Sequence, residues 1–191
     1  MRSVISYNRI VIKIGSAVLA NSNGVVRHDI LSSISEDIAW LLKNNKEVLI
    51  VSSGAIALGR KKIKLSEMLT VAESQALAAH GQIELMSAWK KHLNKFSIPI
   101  GQILLTPKDT ELKLSSKNAK QTVAKLLEAG CLPIINENDS TATDEIRFGD
   151  NDLLAAKVAK LIDADLMIIL STVDGLYSCL LYTSPSPRDR G

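Results

Sequence analysis

The chain has 191 residues, of which 46% are hydrophobic, 23% are charged and only 4% are aromatic. This length and composition predict a soluble globular protein with one sizeable core. The net charge of +3 is too small to indicate a nucleic-acid partner, and acidic residues are mixed among the basic ones. No apolar run reaches the ~20 residues of a membrane span and no signal-peptide pattern is present, so we expect a cytoplasmic protein.

The first predicted element is a buried strand at residues 10–14, followed directly by Gly15 and Ser16. Lys13 is unusual inside it, because burying a lysine is costly unless its ammonium group meets an anion. A glycine just after the strand lets the backbone approach a bound phosphate. Two interpretations follow: Lys13 binds an anion, or its side chain reaches solvent at the edge of the sheet.

A helical pattern at residues 29–45 leads to a second buried strand, which runs into Ser53, Gly54 and another helical pattern. A strand, small residues and a helix in this order direct backbone N–H groups at an anion. Arg60 and Lys61 stand where a P-loop requires Lys and Ser or Thr, so we reject that motif. Ser53 is therefore either a ligand-binding residue or a helix cap.

The middle of the chain is rich in helix-forming residues. Residues 66–96 predict one long helix or two, with Gly81 as a possible break, and we interpret them as a scaffold or an oligomer surface. A third strand is predicted at residues 98–105, followed by a polar connection of the kind that can move. A helix at residues 118–128 is predicted to end at Gly130.

The densest chemistry lies at residues 132–152, where a short apolar strand runs into the amides and carboxylates of residues 136–139. Ligands of open α/β sheets bind at this end of the strands. Residues 149–152 come directly before a helical pattern, and we expect a helix from Asp152 for which Asp150 or Asn151 is a candidate N-cap. So many polar groups suit magnesium, an ammonium group or ordered water, although a polar loop with a capping aspartate is the alternative.

A last apolar strand, LMIILS, ends at Ser171 and Thr172. Strands that alternate with helices predict an α/β protein with a mostly parallel sheet covered by helices on both faces. The strand ends would bring one lysine and glycine-rich turns, which suit phosphates, beside carboxylates that suit a small substrate with an amine. Phosphoryl transfer needs mainly such positioning and charge neutralisation. Neither the cysteines nor the histidines have metal-ligand spacing, so we assign no metal ligand.

Residues 179–191, CLLYTSPSPRDRG, continue none of these patterns and resemble translated vector or adaptor sequence. We therefore expect residues 1–178 to be a partial catalytic domain, and residues 179–191 to be a non-native or disordered tail. A parallel sheet cut short exposes an apolar edge, which predicts poor solubility.

Six motifs occur in order: VIKIGSAVL, VSSGAIALGR, LAAHGQ, GQILLT, PIINENDSTATDEIRFGDND and VDGLY. Together they resemble the glutamate 5-kinase branch of the amino acid kinase family over residues 10–178, and INEND followed by GDND is specific to that branch. The resemblance implies a three-layer α/β/α fold, incomplete at its C-terminus. It implies ATP-dependent phosphorylation of the side-chain carboxylate of L-glutamate, the first step of proline biosynthesis. It also implies magnesium, feedback inhibition by L-proline in many members, and a homo-oligomer.

The resemblance assigns roles by position. Lys13 and Asp152 match catalytic residues, with Asp152 holding lysines in place; Ser53, Asp139 and Asn151 match glutamate-binding residues; and Lys13, Gly15, Ser171 and Thr172 match ATP-binding residues. A carboxylate with a pKa of ~4.3 is already ionised at neutral pH, so the acceptor needs no general base. It needs relief from repulsion between two anions, which Lys13 and magnesium can supply.

Two departures from the family pattern stand out. Thr172 replaces an acidic residue that usually precedes VDGLY, and the chain lacks the glycine-rich loop, the second lysine and the RNA-binding-like C-terminal domain of many members. We therefore expect an incomplete, inactive enzyme. The alternatives are a kinase for another carboxylate or carbamate, such as aspartate or acetylglutamate, and a non-catalytic amino-acid-binding module of the same fold.

Overall fold

Five parallel strands form one sheet in the computed structural model, which describes residues 6–61, 63, 69–141 and 151–172. The strands are β1 (Arg9–Ile14), β2 (Glu47–Ser52), β3 (Ile100–Leu105), β4 (Leu132–Glu137) and β5 (Leu166–Leu170). Their order across the sheet is β3-β4-β2-β1-β5, and every neighbouring pair is parallel. The predicted strands and the parallel sheet are confirmed.

The helices connect these strands and cover the sheet. They are α1 (Ser16–Leu19), α2 (His28–Lys43), α3 (Ala55–Arg60), α4 (Val71–Leu93), α5 (Pro107–Glu111), α6 (Lys113–Glu128) and α7 (Asn151–Leu161), with a 3-10 turn at Asn94–Phe96. One buried cluster joins the sheet to α2 and α4, and a second joins its other face to α6 and α7. The three-layer α/β/α arrangement is therefore confirmed. Within the described part of the chain, no helix is long and apolar enough to cross a membrane.

Alternation along β1 decides which way Lys13 points. Ile10, Ile12 and Ile14 belong to the cluster on the α2 and α4 side, whereas Val11 belongs to the cluster on the α7 side. Because successive side chains of a strand point to opposite faces, Lys13 shares the face of Val11. The strand therefore presents its lysine to α7.

Gly81 does not break α4, so that possibility was wrong. A Cβ at Gly81 would lie 1.8 Å from the carbonyl oxygen of Ala55, and a Cβ at Gly59 would lie 2.2 Å from that of Leu77. These two glycines let α3 and α4 pack with their backbones in contact. Gly81 is therefore needed for the packing of two helices and not for a turn.

The polar connection after β3 is helical, contrary to expectation. Thr106 and Asp109 form a capping box in which the Asp109 carboxylate accepts from the Thr106 N–H and hydroxyl, both at 2.7 Å, and Pro107 occupies the first turn. The next helix ends as predicted, since Gly130 has φ +67°. Local capping therefore gives helical structure to a stretch whose composition is typical of a loop.

Candidate active site

The carboxyl ends of β4, β2, β1 and β5 lie side by side, and the residues after them are tied to neighbouring strands. The Gly15 N–H donates to the carbonyl of Leu170 at 3.0 Å, and the Ser53 N–H donates to the carbonyl of Ile14 at 3.0 Å. These bonds fix Gly15 and Ser53 at the edge where open α/β sheets bind ligands.

A cavity of about 510 Å³ opens at this edge. Ser53, Asp139 and Asn151 all line it, together with Glu137 and Arg60. The three residues predicted to bind glutamate come from the ends of β2 and β4 and the start of α7, and the fold brings them together. With Ser16 also in its lining, the cavity offers two carboxylates, an amide and two hydroxyls to a ligand, with one guanidinium group.

Lys13 and Asp152 form an ion pair, with 2.6 Å between Nζ and Oδ1. The Lys13 side chain is only 5% exposed, whereas that of Asp152 is 42% exposed. The alternative in which Lys13 reaches solvent is therefore wrong. A Cβ at Gly15 would lie 3.8 Å from Lys13 Nζ, so the backbone at Gly15 is close to the ammonium group.

A chain of amide hydrogen bonds lies behind the cavity. Asn151 Nδ2 is 2.9 Å from Ser53 Oγ, 2.8 Å from Asn136 Oδ1 and 3.2 Å from the carbonyl oxygen of Ser52. Asn136 Nδ2 in turn donates to Gln82 Oε1 at 2.9 Å. Asn151 is therefore held by contacts that reach from α7 through β4 to α4.

Sequence reasoning missed three residues of this region. Gln82 and Trp89 lie on α4, interpreted only as scaffold, and the Trp89 indole N–H donates to Ser52 Oγ at 3.1 Å. The available signal was Gln82 itself, a polar residue among the apolar residues on the buried face of the helix. Arg60 was noted only as a mismatch to the P-loop, and it lines the cavity.

Of the remaining predicted residues, some lie beside the site and others lie outside the described ranges. Ser171 and Thr172 follow β5, the neighbour of β1, and both are exposed. The candidate N-cap Asp150, most of the loop after β4, and the VDGLY motif lie outside the described residues. The helix begins at Asn151, which leaves Asp152 in its first turn.

Comparison with known proteins decides the family. The sequence model of the amino acid kinase family matches residues 8–180. The chain belongs to the amino acid kinase family. Its similarity to this family agrees with the parallel sheet and with the placement of the cavity at the strand ends.

Several curated relatives within the family are named glutamate 5-kinase. The one from Agrobacterium fabrum is 52% identical over 184 residues, which cover 96% of this chain and 47% of the relative. The one from Nitrobacter hamburgensis is 50% identical over 184 residues, 95% of this chain and 48% of the relative. Glutamate 5-kinase 1 of Mesorhizobium japonicum is 48% identical over 190 residues, which cover 99% of this chain and 49% of the relative. The chain thus spans about half the length of the curated relatives it matches, and the resemblance found from the motifs is confirmed.

The site combines a buried cation with a polar, mostly acidic cavity. A buried ammonium group can neutralise phosphate charge, and the carboxylates and amide of the cavity can hold a cationic amine. Among the described residues, no group of three or more His, Cys, Asp or Glu side chains is close enough to hold a metal ion.

Proposed function

We propose that this chain is part of the catalytic domain of an ATP-dependent glutamate 5-kinase. The reaction transfers the γ-phosphoryl group of ATP to the side-chain carboxylate of L-glutamate, giving L-glutamyl 5-phosphate and ADP in the first step of proline biosynthesis. One observation carries the proposal: the cavity lined by Ser53, Asp139 and Asn151 lies at the same sheet edge as the Lys13–Asp152 pair. An amino-acid site and a phosphate-binding cation are thus adjacent.

Lys13 is proposed to contact the ATP phosphates and the group in transfer. Its strand ends at Ile14, directly before Gly15, and Ser171 and Thr172, which are proposed to contact the nucleotide, follow the neighbouring strand. Asp152 holds the ammonium group in place through the 2.6 Å ion pair. The lysine is therefore preorganised before any substrate binds.

Ser53, Asp139 and Asn151 are proposed to bind L-glutamate. An ionised side-chain carboxylate is itself the nucleophile, so no residue has to remove a proton. The barrier comes from bringing two anions together, and positioning with charge neutralisation lowers it. A site with a buried lysine and no histidine meets this requirement.

Magnesium is proposed to accompany ATP. Mg²⁺ in phosphoryl-transfer enzymes is bound mainly by substrate phosphates, with only one or two carboxylates from the protein. Asp152, with its partly exposed carboxylate, is the residue placed to contribute such an oxygen. The ion would supply positive charge for the transferred group.

L-proline is proposed to compete with L-glutamate for the same cavity, since it also carries a cationic amine and a carboxylate. A homo-oligomer in the cytoplasm is the expected state of the complete enzyme. These proposals rest on the similarity to enzymes named glutamate 5-kinase.

The test joins residues 1–172 of this chain to the segment that follows in the Agrobacterium relative, and assays acyl phosphate by trapping with hydroxylamine. We expect hydroxamate only when both ATP and L-glutamate are present. The same fusion carrying Lys13→Ala should lose most activity, which would assign the activity to this chain's own site. Calorimetric titration of the 191-residue chain with L-glutamate gives a second readout.

Each result distinguishes the alternatives. Glutamate binding without hydroxamate would favour the non-catalytic module, and hydroxamate formed mainly from aspartate or acetylglutamate would favour a kinase for another acceptor. No glutamate binding and no hydroxamate would refute the proposal.

A further inference from the structure

Two backbone groups give the amide chain behind the cavity a fixed direction. The carbonyl of Ser52 can only accept, so Asn151 must turn its Nδ2 toward it, at 3.2 Å. The N–H of Glu137 can only donate, and it donates to Asn136 Oδ1 at 2.9 Å. Asn136 therefore offers oxygen to Asn151 Nδ2, at 2.8 Å, and its own Nδ2 must point the other way.

Gln82 completes this arrangement. Asn136 is only 2% exposed, so its Nδ2 requires an acceptor from the protein, and Gln82 Oε1 supplies one at 2.9 Å. Gln82 is itself 9% exposed and lies on α4. Without that acceptor, Asn136 Nδ2 would be a buried unsatisfied donor. The cost of burying it would favour rotation of the Asn136 amide away from Asn151.

The orientation has a consequence for the cavity. Asn151 Nδ2 has two N–H bonds, and the three oxygens within reach of them are all protein atoms. Its Oδ1, on the opposite side of the amide, is therefore the atom left for the cavity that Asn151 lines. An amide oxygen accepts only, and therefore selects a donor such as an ammonium group. Glu137 and Asp139 line the same cavity and favour the same positive charge.

We propose that Gln82 is a positioning residue that fixes Asn136, and through it the Asn151 amide, so that Asn151 Oδ1 accepts from the ammonium group of the amino-acid substrate. This inference rests on the proposed glutamate site and assigns its preference for an amino acid to a residue on α4. Gln82 itself acts through Asn136 and does not need to touch the substrate.

The test compares L-glutamate with glutarate, which has both carboxylates and no ammonium group. Both ligands are titrated calorimetrically into the 191-residue chain and into Gln82→Met, which has a similar length but no oxygen acceptor. We expect Gln82→Met to weaken glutamate binding about tenfold, the loss of one charge-assisted hydrogen bond, and to leave glutarate binding unchanged. Gln121→Met, at an exposed position of α6, is the control and should change neither affinity.

A general structural role would weaken both ligands equally in Gln82→Met, and that result would overturn the proposal, as would unchanged glutamate binding. Should circular dichroism show that Gln82→Met is unfolded, Gln82→Glu decides, because it keeps an acceptor oxygen for Asn136. It should retain the preference for glutamate over glutarate, and loss of that preference would overturn the inference. If the unsubstituted chain binds no glutamate, both the proposed function and this inference are wrong. If only the Gln82 variants depart from expectation, the inference is wrong and the proposed function is unaffected.

Discussion

Lys13 and Asp152 form an unequal pair, since one side chain is almost fully buried and the other is partly hydrated. The desolvation penalty therefore falls mainly on the lysine. Removing the carboxylate leaves a buried ammonium group without its charged partner. Removing the ammonium group leaves a carboxylate whose Oδ1 is buried but whose side chain is 42% exposed, so that water can reach part of it. The two single substitutions should have different effects on stability.

We predict that Asp152→Asn lowers the free energy of unfolding by on the order of 2 kcal/mol, less than the 3–5 kcal/mol of a fully buried pair because Asp152 is partly exposed. Lys13→Met should cost less. Urea unfolding followed by circular dichroism measures both. Asp163→Asn is the control, because Asp163 pairs with Lys120 at the same 2.6 Å distance on the surface, where ion pairs contribute little. A larger loss for Lys13→Met than for Asp152→Asn would contradict the assignment of the penalty.

Asp139 is predicted to hold the substrate by its charge. Asp139→Asn should weaken L-glutamate binding about tenfold, because a charge-assisted contact becomes a neutral one. Calorimetric titration checks this, with Asp37→Asn on the exposed side of α2 as the control. Equal affinities in the two variants would remove Asp139 from the site.

At the scale of elements, the contact between α3 and α4 depends on glycine. Gly81→Ala would raise the intrinsic helix propensity by about 1 kcal/mol, yet its Cβ would overlap the Ala55 carbonyl. We predict a net loss of stability of about 3 kcal/mol, the upper range for overpacked cores. Ser87→Ala, exposed on the same helix, should not destabilise. A thermal melt of Gly81→Ala that matches the unsubstituted chain would show that the helices can separate without cost.

The start of α2 and the end of α4 meet through two histidines. His28 Nδ1 and His92 Nε2 are 3.0 Å apart, and the rings are stacked. Burial lowers the pKa of His92 below its ordinary value of 6.5, and the charges of Lys95, His28 and Lys91 lower it further. The folded chain therefore binds fewer protons than the unfolded chain once the pH falls below 6.5.

Stability is accordingly predicted to be steady above pH 6.5 and to decline as the pH falls below that value. His92→Gln should reduce the decline, because it removes the group whose pKa is lowered in the folded chain. Urea midpoints measured from about pH 8 to about pH 5 provide the comparison. A decline of the same size in His92→Gln would assign it to other groups.

At the scale of the molecule, β5 is the least buried of the strands that the structure describes. Among the described strands its one neighbour is β1, and Ile169 is 44% exposed. An exposed apolar edge strand favours association between chains. We predict that Ile169→Lys reduces self-association in analytical ultracentrifugation. Leu114→Lys, which replaces a 73% exposed leucine on α6, should not, and an equal effect would point to general surface hydrophobicity instead.

Most of this architecture was predictable from local pattern. Apolar runs ending in small or polar residues located all five strands, and the strand ends in turn located the site. The misses share a cause. Gly81, Gln82 and Trp89 act through partners distant in sequence, Ala55, Asn136 and Ser52, so their roles depend on how α4 packs. The helix at Pro107–Glu111 depends on a cap whose polar residues are equally typical of a loop.

The pairing of β1 with β5 has a consequence for folding during synthesis. Ile10 pairs with Leu166, so β1 cannot complete its pairing until β5 has been synthesised. At about 5–20 residues per second, that wait is on the order of ten seconds or more. Until then, β2 is the only described strand that can pair with β1. The Lys13 ammonium group, in turn, has no Asp152 to pair with until α7 has left the ribosome, so the buried ion pair can form only after that point.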